Sequence, residues 1–380
     1  YQSATSRRPN YIFAALSLDA HTLQAHGAAA APSAQLEAFF LSFMRHVPSA
    51  QLVVFARGLE FLPIQSVGRR SPAIRFVESL PPRKMVSHSQ GVQSQGEQIE
   101  RYAVFARQLA QLPSNTAAQA RVAFTDALDV IFQSDPFSTS NGSDQELDVF
   151  LEIDHYTILS EKTRGNAKWI EALYGSDALD RISERRVSCS GFTMGSHAAM
   201  LRYAQMVASE VERVVVPRAS HILAFLGSRE FYRGLDQGIH NMLVHGQLPS
   251  SNASGLNVRL HSCRDGPVMT TNGMVEGTDF KLAGSRVTQM DGTPFAVVHQ
   301  YNRLVTARDG SRARTLLPLL SCRHGSQTPD YCVSLPLGLG PDRTEQNRIG
   351  TYEVGIGKKQ HGHHHRTDGN VGNIVASSQN

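Results

Sequence analysis

Long apolar runs are absent from this sequence. A membrane-spanning helix needs about 20 consecutive, predominantly apolar residues, and the 380-residue chain contains no such stretch. Because the first residues form a polar segment without an initiating methionine, we expect any signal or N-terminal membrane anchor to lie outside this sequence. Hydrophobic residues make up 41% of the chain, which is enough for a buried core. The composition therefore predicts a folded, soluble protein.

Cysteine is also scarce, with four in the chain and no C-x-x-C pair. A structural zinc site is therefore not expected. Buried thiols or a disulfide are the alternatives, with Cys322 and Cys332 as the candidate pair in an oxidising compartment. Two glycosylation sequons, at Asn141 and Asn252, suit a secretory-pathway protein. We expect the protein in the lumen of the Golgi or another secretory compartment.

The chain lacks a strong charge of either sign. Its formal net charge is +4, and its basic residues occur in scattered pairs without a stripe of interleaved aromatic residues. Nucleic acid is therefore not an expected partner. The glycine-rich phosphate loops G-x-x-x-x-G-K-[ST] and strand-linked G-x-G-x-x-G are missing as well, which argues against the usual glycine-rich nucleotide-binding loops.

Strands and helices alternate along the first third of the chain, which predicts an α/β fold with a mostly parallel sheet and helices on both faces. Further elements follow up to about residue 300. Sequence after about residue 339 is rich in Gly, Asn, Gln and His, so we expect one domain over 1–338 and a disordered tail over 339–380. Predicted strands cover 11–16, 51–56, 73–77, 121–125, 147–153, 186–190 and two or three segments within 280–299. Predicted helices cover 33–46, 97–112, 167–173, 196–211 and 235–245.

Two carboxylates, Asp126 and Asp129, follow the strand predicted at 121–125. Ligands of an open parallel sheet bind at the carboxyl ends of its strands, so these acids would face the ligand crevice. Two carboxylates at close spacing can hold a divalent cation, which in turn bridges the oxygens of a diphosphate. The alternative is that Asp126 caps a turn and Asp129 is a solvated neighbour.

Two further passages contain candidate site residues. Asp236 stands where a helix would begin and Gln237 follows it, although an aspartate there can also be an ordinary helix N-cap. His299 ends an apolar strand and is either a packed or solvated residue or the partner of the two acids. A site of mixed nitrogen and oxygen ligands would suit Mn²⁺ better than Mg²⁺.

The order of these features resembles that of the GT-A glycosyltransferases, most closely the retaining branch that includes glycogenin and the bacterial lipopolysaccharide α-galactosyltransferases. The resemblance implies a Rossmann-like, mostly parallel central sheet flanked by helices, with a small antiparallel addition. It also implies transfer of a hexose or pentose from a nucleotide-diphosphate sugar, with a UDP-sugar expected, to a glycan, protein or lipid acceptor. The features that carry it are the acids Asp126 and Asp129, a Ser190-Gly191 turn before a helix, Asp236-Gln237 with Asn241, and the late strand-end His299.

The resemblance also implies roles for individual residues. Asp129 and His299 would ligate Mn²⁺ or Mg²⁺, and Asp126 would hold the metal or the donor ribose. Asp236 and Gln237 would be the catalytic pair that lines the donor sugar. Two residues separate the acids here, where the family usually has one, and the family's lysine-containing phosphate motif is missing. Donor binding would involve Asp126, Ser190, Gly191, Asn241 and, as a substitute for that lysine, Arg303.

Other functions are compatible with the same residues. A nucleotidyltransferase or a sugar-phosphate transferase would use the same acids, metal and diphosphate, and a nucleotide-sugar or glycan-binding domain would keep the fold without turnover. The resemblance to the retaining branch favours transfer with retention of configuration. An inverting enzyme would need a general base, for which Asp236, Asp154 and Glu152 are candidates.

Overall fold

The computed structural model describes residues 9–17, 31–57, 71–78, 97–139, 145–152, 154–160, 164–248, 255–264, 266–272, 274–283 and 286–301. Its strands are β1 (Asn10–Ser17), β2 (Ala50–Arg57), β3 (Ile74–Glu78), β4 (Arg121–Thr125), β5 (Val130–Phe132), β6 (Glu146–Leu151), β7 (Ser188–Ser196), β8 (Asn257–His261), β9 (Val268–Thr270), β10 (Lys281–Ala283), β11 (Arg286–Thr288) and β12 (Val297–His299). Its α-helices are α1 (Ala31–His46), α2 (Glu97–Ala110), α3 (Ser114–Ala117), α4 (Arg164–Tyr174), α5 (Ser176–Ile182), α6 (His197–Glu210) and α7 (Ala219–Met242). Short 3-10 turns cover Pro136–Thr139 and Val216–Arg218, and π-helical turns cover Val211–Val215 and Leu243–Gln247.

Seven strands form one central sheet in the order β3-β2-β1-β4-β7-β6-β8. Every neighbouring pair is parallel except those of β7, which runs antiparallel to both β4 and β6. The predicted α/β class with a mostly parallel sheet is confirmed. Because β1 to β4 run in the same direction, their carboxyl ends share one edge of the sheet, and the residues that follow β4 lie at that edge.

The central strands are buried on both faces, as expected for a parallel sheet covered by helices. Side chains alternate between the faces. On one face, Phe13 of β1 and Phe124 of β4 pack against Phe105 of α2. On the other face, Ile12 belongs to a second apolar cluster together with Phe39 of α1. The helical periodicity that predicted α1 and α2 thus corresponds to the faces that cover the sheet.

Two small sheets complete the described part of the chain. β10 and β11 form an antiparallel pair, and β12 lies between β5, to which it is antiparallel, and β9, to which it is parallel. The predicted small antiparallel addition is confirmed. In the β5–β12 pair, Val130 lies opposite His299. This pairing brings the end of β12 next to the loop that follows β4.

The predicted turn at Ser190-Gly191 was wrong, because both residues lie within β7. The register of β6 against β7 shifts between Val149 and Phe150, so Phe150 lies opposite Cys189 where an unbroken ladder would place Phe192. The shift is a bulge in β7, a feature that bends a strand and turns its groups away from the ladder. The segment that reads as a turn in the sequence is this bulge.

Although α7 as a whole begins earlier, at Ala219, the start predicted for the helix at 235–245 is confirmed. The helical backbone of α7 is interrupted at Gly227 and Gly234, and a new helical stretch begins just before Asp236. The predicted cap of α6 is confirmed, since Ser196 Oγ accepts a hydrogen bond from the Ala199 amide at 3.1 Å. Of the helices in the described ranges, none combines the length and the apolar character needed to cross a bilayer.

Candidate functional site

Asp126, Asp129 and His299 meet at the carboxyl edge of the central sheet. One ligand atom from each of the three side chains can be chosen so that all lie within 4.8 Å of one another. His299 Nε2 is 3.3 Å from Asp126 Oδ2 and 3.6 Å from Asp129 Oδ1. Two carboxylate oxygens and one imidazole nitrogen at such distances can share a single divalent cation.

The environment of His299 tests whether a cation fits. Its ring is buried, yet Nε2 makes no hydrogen bond with any described residue, although it faces both carboxylates. Burial lowers the pKa of His299, but the neighbouring Cys189, Asp129 and Asp126 raise the pKa well above its ordinary value. The two acids therefore favour a positive charge at this point, carried either by a proton on His299 or by a metal ion.

Gly191 provides the space beside these ligands. A Cβ atom at this position would lie 2.3 Å from His299 Cε1 and 2.7 Å from Asp126 Oδ2. Gly191 also accepts, through its carbonyl, a hydrogen bond from the Asp126 amide at 3.0 Å. The bulge of β7 and the absence of a side chain therefore let the strand backbone approach the acid and the imidazole.

Arg101 of α2 links the cluster to Asp236. Its Nη1 atom forms a short ion pair with Asp126 Oδ1, and its Nη2 atom lies 2.9 Å from Asp236 Oδ2. Burial raises the pKa of Asp126, but Arg101 and His299 outweigh it and hold that pKa well below its usual range. Burial raises the pKa of Asp236 and outweighs the opposing effect of Arg101. The Arg101 guanidinium thus fixes the positions of Asp126 and Asp236 relative to each other. It contacts Oδ1 of Asp126, so that Oδ2 faces His299.

Gln237 fastens α7 to the bulge of β7. Its Oε1 accepts a hydrogen bond from the Ser190 amide at 2.7 Å, and its Nε2 donates to the Ser188 carbonyl at 2.9 Å. Nε2 also lies 3.1 Å from Glu152 Oε1, whose second oxygen accepts from Asn272 at 3.4 Å. The bulge explains the contact with Ser190, because Ser190 has no partner in β6, whereas Ser188 stays opposite Leu151.

Asn241 lies one helical turn beyond Gln237 and is fully buried. Its Oδ1 accepts from the Ser188 amide at 2.8 Å, and its Nδ2 donates to the Ser188 and Gln237 carbonyls, both at 2.9 Å. These contacts use its oxygen and both amide hydrogens. In the described structure Asn241 therefore positions β7 and α7, and its predicted contact with a donor stays a prediction.

The structure brings together most of the residues predicted from sequence. Six of them, which are named at the end of this paragraph, meet around the end of β4. Asn241 lies behind these six residues. Arg303 lies outside the described residues. The sequons, the Cys322–Cys332 pair and the domain boundary near 338 also lie outside them. The six are Asp126, Asp129, Ser190, Gly191, Asp236 and His299, with Gln237 beside them.

Sequence reasoning missed two members of the site. Arg101 was overlooked because α2 was interpreted only through its apolar face, although an arginine between the buried Ile99 and Tyr102 was a usable signal. Cys189 fits the buried-thiol alternative, because it is free and buried, but the sequence predicted no role for it in the site. Its sulfur lies 3.3 Å from His299 Nδ1, and nothing in the spacing of the cysteines indicates that contact.

The sequence matches no protein-family model, and no curated protein is significantly similar to it. Solved structures with a similar fold include galactosyltransferase LgtC with donor and acceptor sugar analogs, at 15% identity and a TM-score of 0.40, over 76% of this chain and 86% of that one. Mouse xyloside xylosyltransferase 1 in its apo form matches at 12% identity and a TM-score of 0.43, over 78% of this chain and 99% of that one.

Proposed function

We propose that this protein is a metal-dependent glycosyltransferase that moves a hexose or pentose from a nucleotide-diphosphate sugar to a glycan, protein or lipid acceptor. The observation that carries the proposal is the convergence of Asp126, Asp129 and His299 on one point at the carboxyl edge of the sheet. This is the edge at which open α/β sheets bind their ligands. A UDP-sugar is the donor that we propose to test first.

The ligand set supports a divalent cation, with Mn²⁺ preferred. Asp126 and Asp129 offer hard oxygen donors, and His299 offers a nitrogen donor whose Nε2 has no hydrogen bond among the described residues. When bound, such an ion supplies Lewis-acid stabilisation of the charge that develops on a departing nucleoside diphosphate. The protein's part is to hold the three ligands at fixed positions.

Arg101, Asp236 and Gln237 support the sugar-binding part of the proposal. Asp236 lies next to the metal ligands, since Arg101 bridges it to Asp126. Glycosyl transfer passes through an oxocarbenium-like state, which carboxylates and amide oxygens stabilise. We assign that role to Asp236 and to the lone pair of Gln237 Oε1 that Ser190 does not use. Because Gln237 contacts the peptide groups of both Ser188 and Ser190, the bulge of β7 fixes its orientation.

The proposal is tested by the release of nucleoside diphosphate from a panel of UDP- and GDP-sugars, with Mn²⁺ or with a chelator. We expect metal-dependent release by the wild-type protein. Asp129→Ala should lower it by at least about 100-fold, since even outer partners of metal ligands contribute about 10–100-fold. Asp291→Ala is the matched control, because Asp291 lies in an exposed turn and, among the described residues, its carboxylate accepts a hydrogen bond from the nearby Thr293 amide. This variant should retain wild-type release.

Other products would indicate other functions. Release of nucleoside monophosphate would indicate a sugar-phosphate transferase, and pyrophosphate from a nucleoside triphosphate and a sugar phosphate would indicate a nucleotidyltransferase. If the protein only binds a nucleotide sugar, the sugar would raise the Tm of the protein, and no nucleotide would be released. Full activity of Asp129→Ala would refute its assignment as a metal ligand.

A further inference from the structure

A chain of buried hydrogen-bonding side chains lies behind the candidate site. Ser188 Oγ is 2.8 Å from His240 Nε2, and the other ring nitrogen, Nδ1, is 2.6 Å from the Tyr203 hydroxyl. The three side chains come from β7, α7 and α6, and each is 0% exposed. Burying polar groups is unfavourable unless they are paired, so this set stabilises the protein only when its hydrogen bonds are complete.

One end of this chain reaches Arg101. Burial and the neighbouring Tyr102 raise the pKa of Tyr203 well above its ordinary value, and the two tyrosine rings pack edge-on with centroids 5.9 Å apart. Arg101 Nη2 donates to the Tyr102 hydroxyl at 3.4 Å and to Asp236 at 2.9 Å. The hydrogen-bonded set therefore reaches the guanidinium that holds both acids through the packed ring and the hydroxyl of Tyr102.

The other end reaches Ser188, which lies in β7 just before the bulge. Ser188 Oγ donates to the Phe150 carbonyl at 3.5 Å, while the peptide groups of Ser188 bind the side chains of Gln237 and Asn241. Ser188 is thus connected on one side to His240 and on the other to the amide that faces the site. The buried chain links the two places at which α7 is fastened to the rest of the site.

The hydrogen bonds of this chain can run in only one direction. The Phe150 carbonyl only accepts, so Ser188 donates its hydroxyl proton to that carbonyl and its oxygen is left to accept from His240. His240 must then donate through Nε2 to Ser188 and accept through Nδ1 from Tyr203. Such a chain is intact only when every member keeps its hydroxyl or its neutral imidazole.

We propose that Tyr203 and His240 are positioning residues, which act through Tyr102 and Arg101 to hold Asp126 in the orientation that binds the metal. Arg101 occupies Oδ1 of Asp126, so Oδ2 stays on the side of His299. If the guanidinium could rotate, Asp126 could turn away from His299. This inference rests on the proposed function, because it assumes that Asp126 is a metal ligand.

The test is the affinity for Mn²⁺ alone, measured from the electron paramagnetic resonance signal of free Mn²⁺. Tyr203→Phe removes one hydroxyl and keeps the aromatic ring. We expect it to raise the Kd for Mn²⁺ about tenfold, the lower end of what outer partners of metal ligands contribute. The matched control is Tyr174→Phe. The Tyr174 hydroxyl donates a hydrogen bond of 2.9 Å to Glu210, and this pair takes no part in the site. This variant should lose stability without a change in Kd.

The outcomes separate the positioning role from simple stabilisation. Equal Kd values for wild type, Tyr203→Phe and Tyr174→Phe, at a temperature where all are folded, would overturn the inference and leave the proposed function intact. If Tyr203→Phe does not fold, Tyr102→Phe provides a second test, since it removes the hydroxyl to which Arg101 donates. If the wild-type protein binds no Mn²⁺, the proposed function fails and the inference fails with it.

Discussion

Gly191→Ala is the sharpest perturbation that the structure offers. The added methyl carbon would lie 2.3 Å from His299 Cε1 and 2.5 Å from His299 Nε2. Ordinary contact begins at 3.4 Å, so the ring would have to retreat by about 1 Å, whereas ligand positions in metal sites are held within about 0.2 Å. The ring cannot retreat freely, because it is buried and its Nδ1 lies 3.3 Å from Cys189 Sγ.

We therefore expect Gly191→Ala to weaken Mn²⁺ binding by at least about 100-fold, because both His299 and Asp126 are displaced. Overpacking should also lower the free energy of unfolding by about 1–3 kcal/mol. Metal affinity is measured by the signal of free Mn²⁺, and stability by thermal unfolding without metal. The two readouts separate a damaged metal site from a damaged fold.

Gly195→Ala is the matched control on the same strand. Its methyl carbon would lie 2.5 Å from the Glu146 carbonyl oxygen, about 13 Å along β7 from Gly191 at the usual rise per residue. It should cost a similar free energy of unfolding and leave the affinity for Mn²⁺ unchanged. Wild-type Mn²⁺ affinity in Gly191→Ala, or equal losses in both variants, would refute the geometry described for the site.

Two further predictions concern buried charges. Arg101→Lys keeps the charge but lacks the fork of donors that spans Asp126 and Asp236. We expect the free energy of unfolding, measured in urea, to fall by about 3 kcal/mol. A variant as stable as the wild type would contradict the bridge that Arg101 forms between the two acids. Burial, followed by the charges of His245 and Arg101, lowers the pKa of His240 to about 3. Stability from its neutral form is present above about pH 6.5 and is lost as pH falls towards 3, by about 2 kcal/mol at pH 5. In His240→Gln, the free energy of unfolding should therefore differ less between pH 7 and pH 5 than in the wild type, by about 2 kcal/mol. An unchanged difference would contradict this contribution of His240.

The local elements of the fold were predictable because their causes are local. Burial on both faces gives a parallel strand a continuous apolar run, and burial on one face gives a helix a period of 3.6 residues. These patterns predicted β1 to β4, α1 and α2 to within a few residues. The position of Asp126 and Asp129 at the ligand edge followed as well, because the direction of a parallel strand fixes the edge at which it ends.

The turn predicted at Ser190-Gly191 shows where local patterns fail. A small polar residue followed by glycine is typical both of a turn and of a strand bulge, and the neighbouring strands decide between them. Here β4 pairs with β7 as far as Phe192, while β6 shifts its register beside the same segment. Neither pairing is encoded within the segment itself.

The sequence by itself determined the fold class, the edge of the sheet at which the site lies and the acids placed there. Tertiary structure added Arg101 to the site and brought His299, for which the sequence left two alternatives, next to the acids. Arg101 contacts acids 25 and 135 positions away, and His299 reaches Asp129 through the pairing of β12 with β5. The physical reason is that hydrophobic periodicity records which side of an element is buried, whereas a hydrogen bond or ion pair depends on how separate elements are packed together.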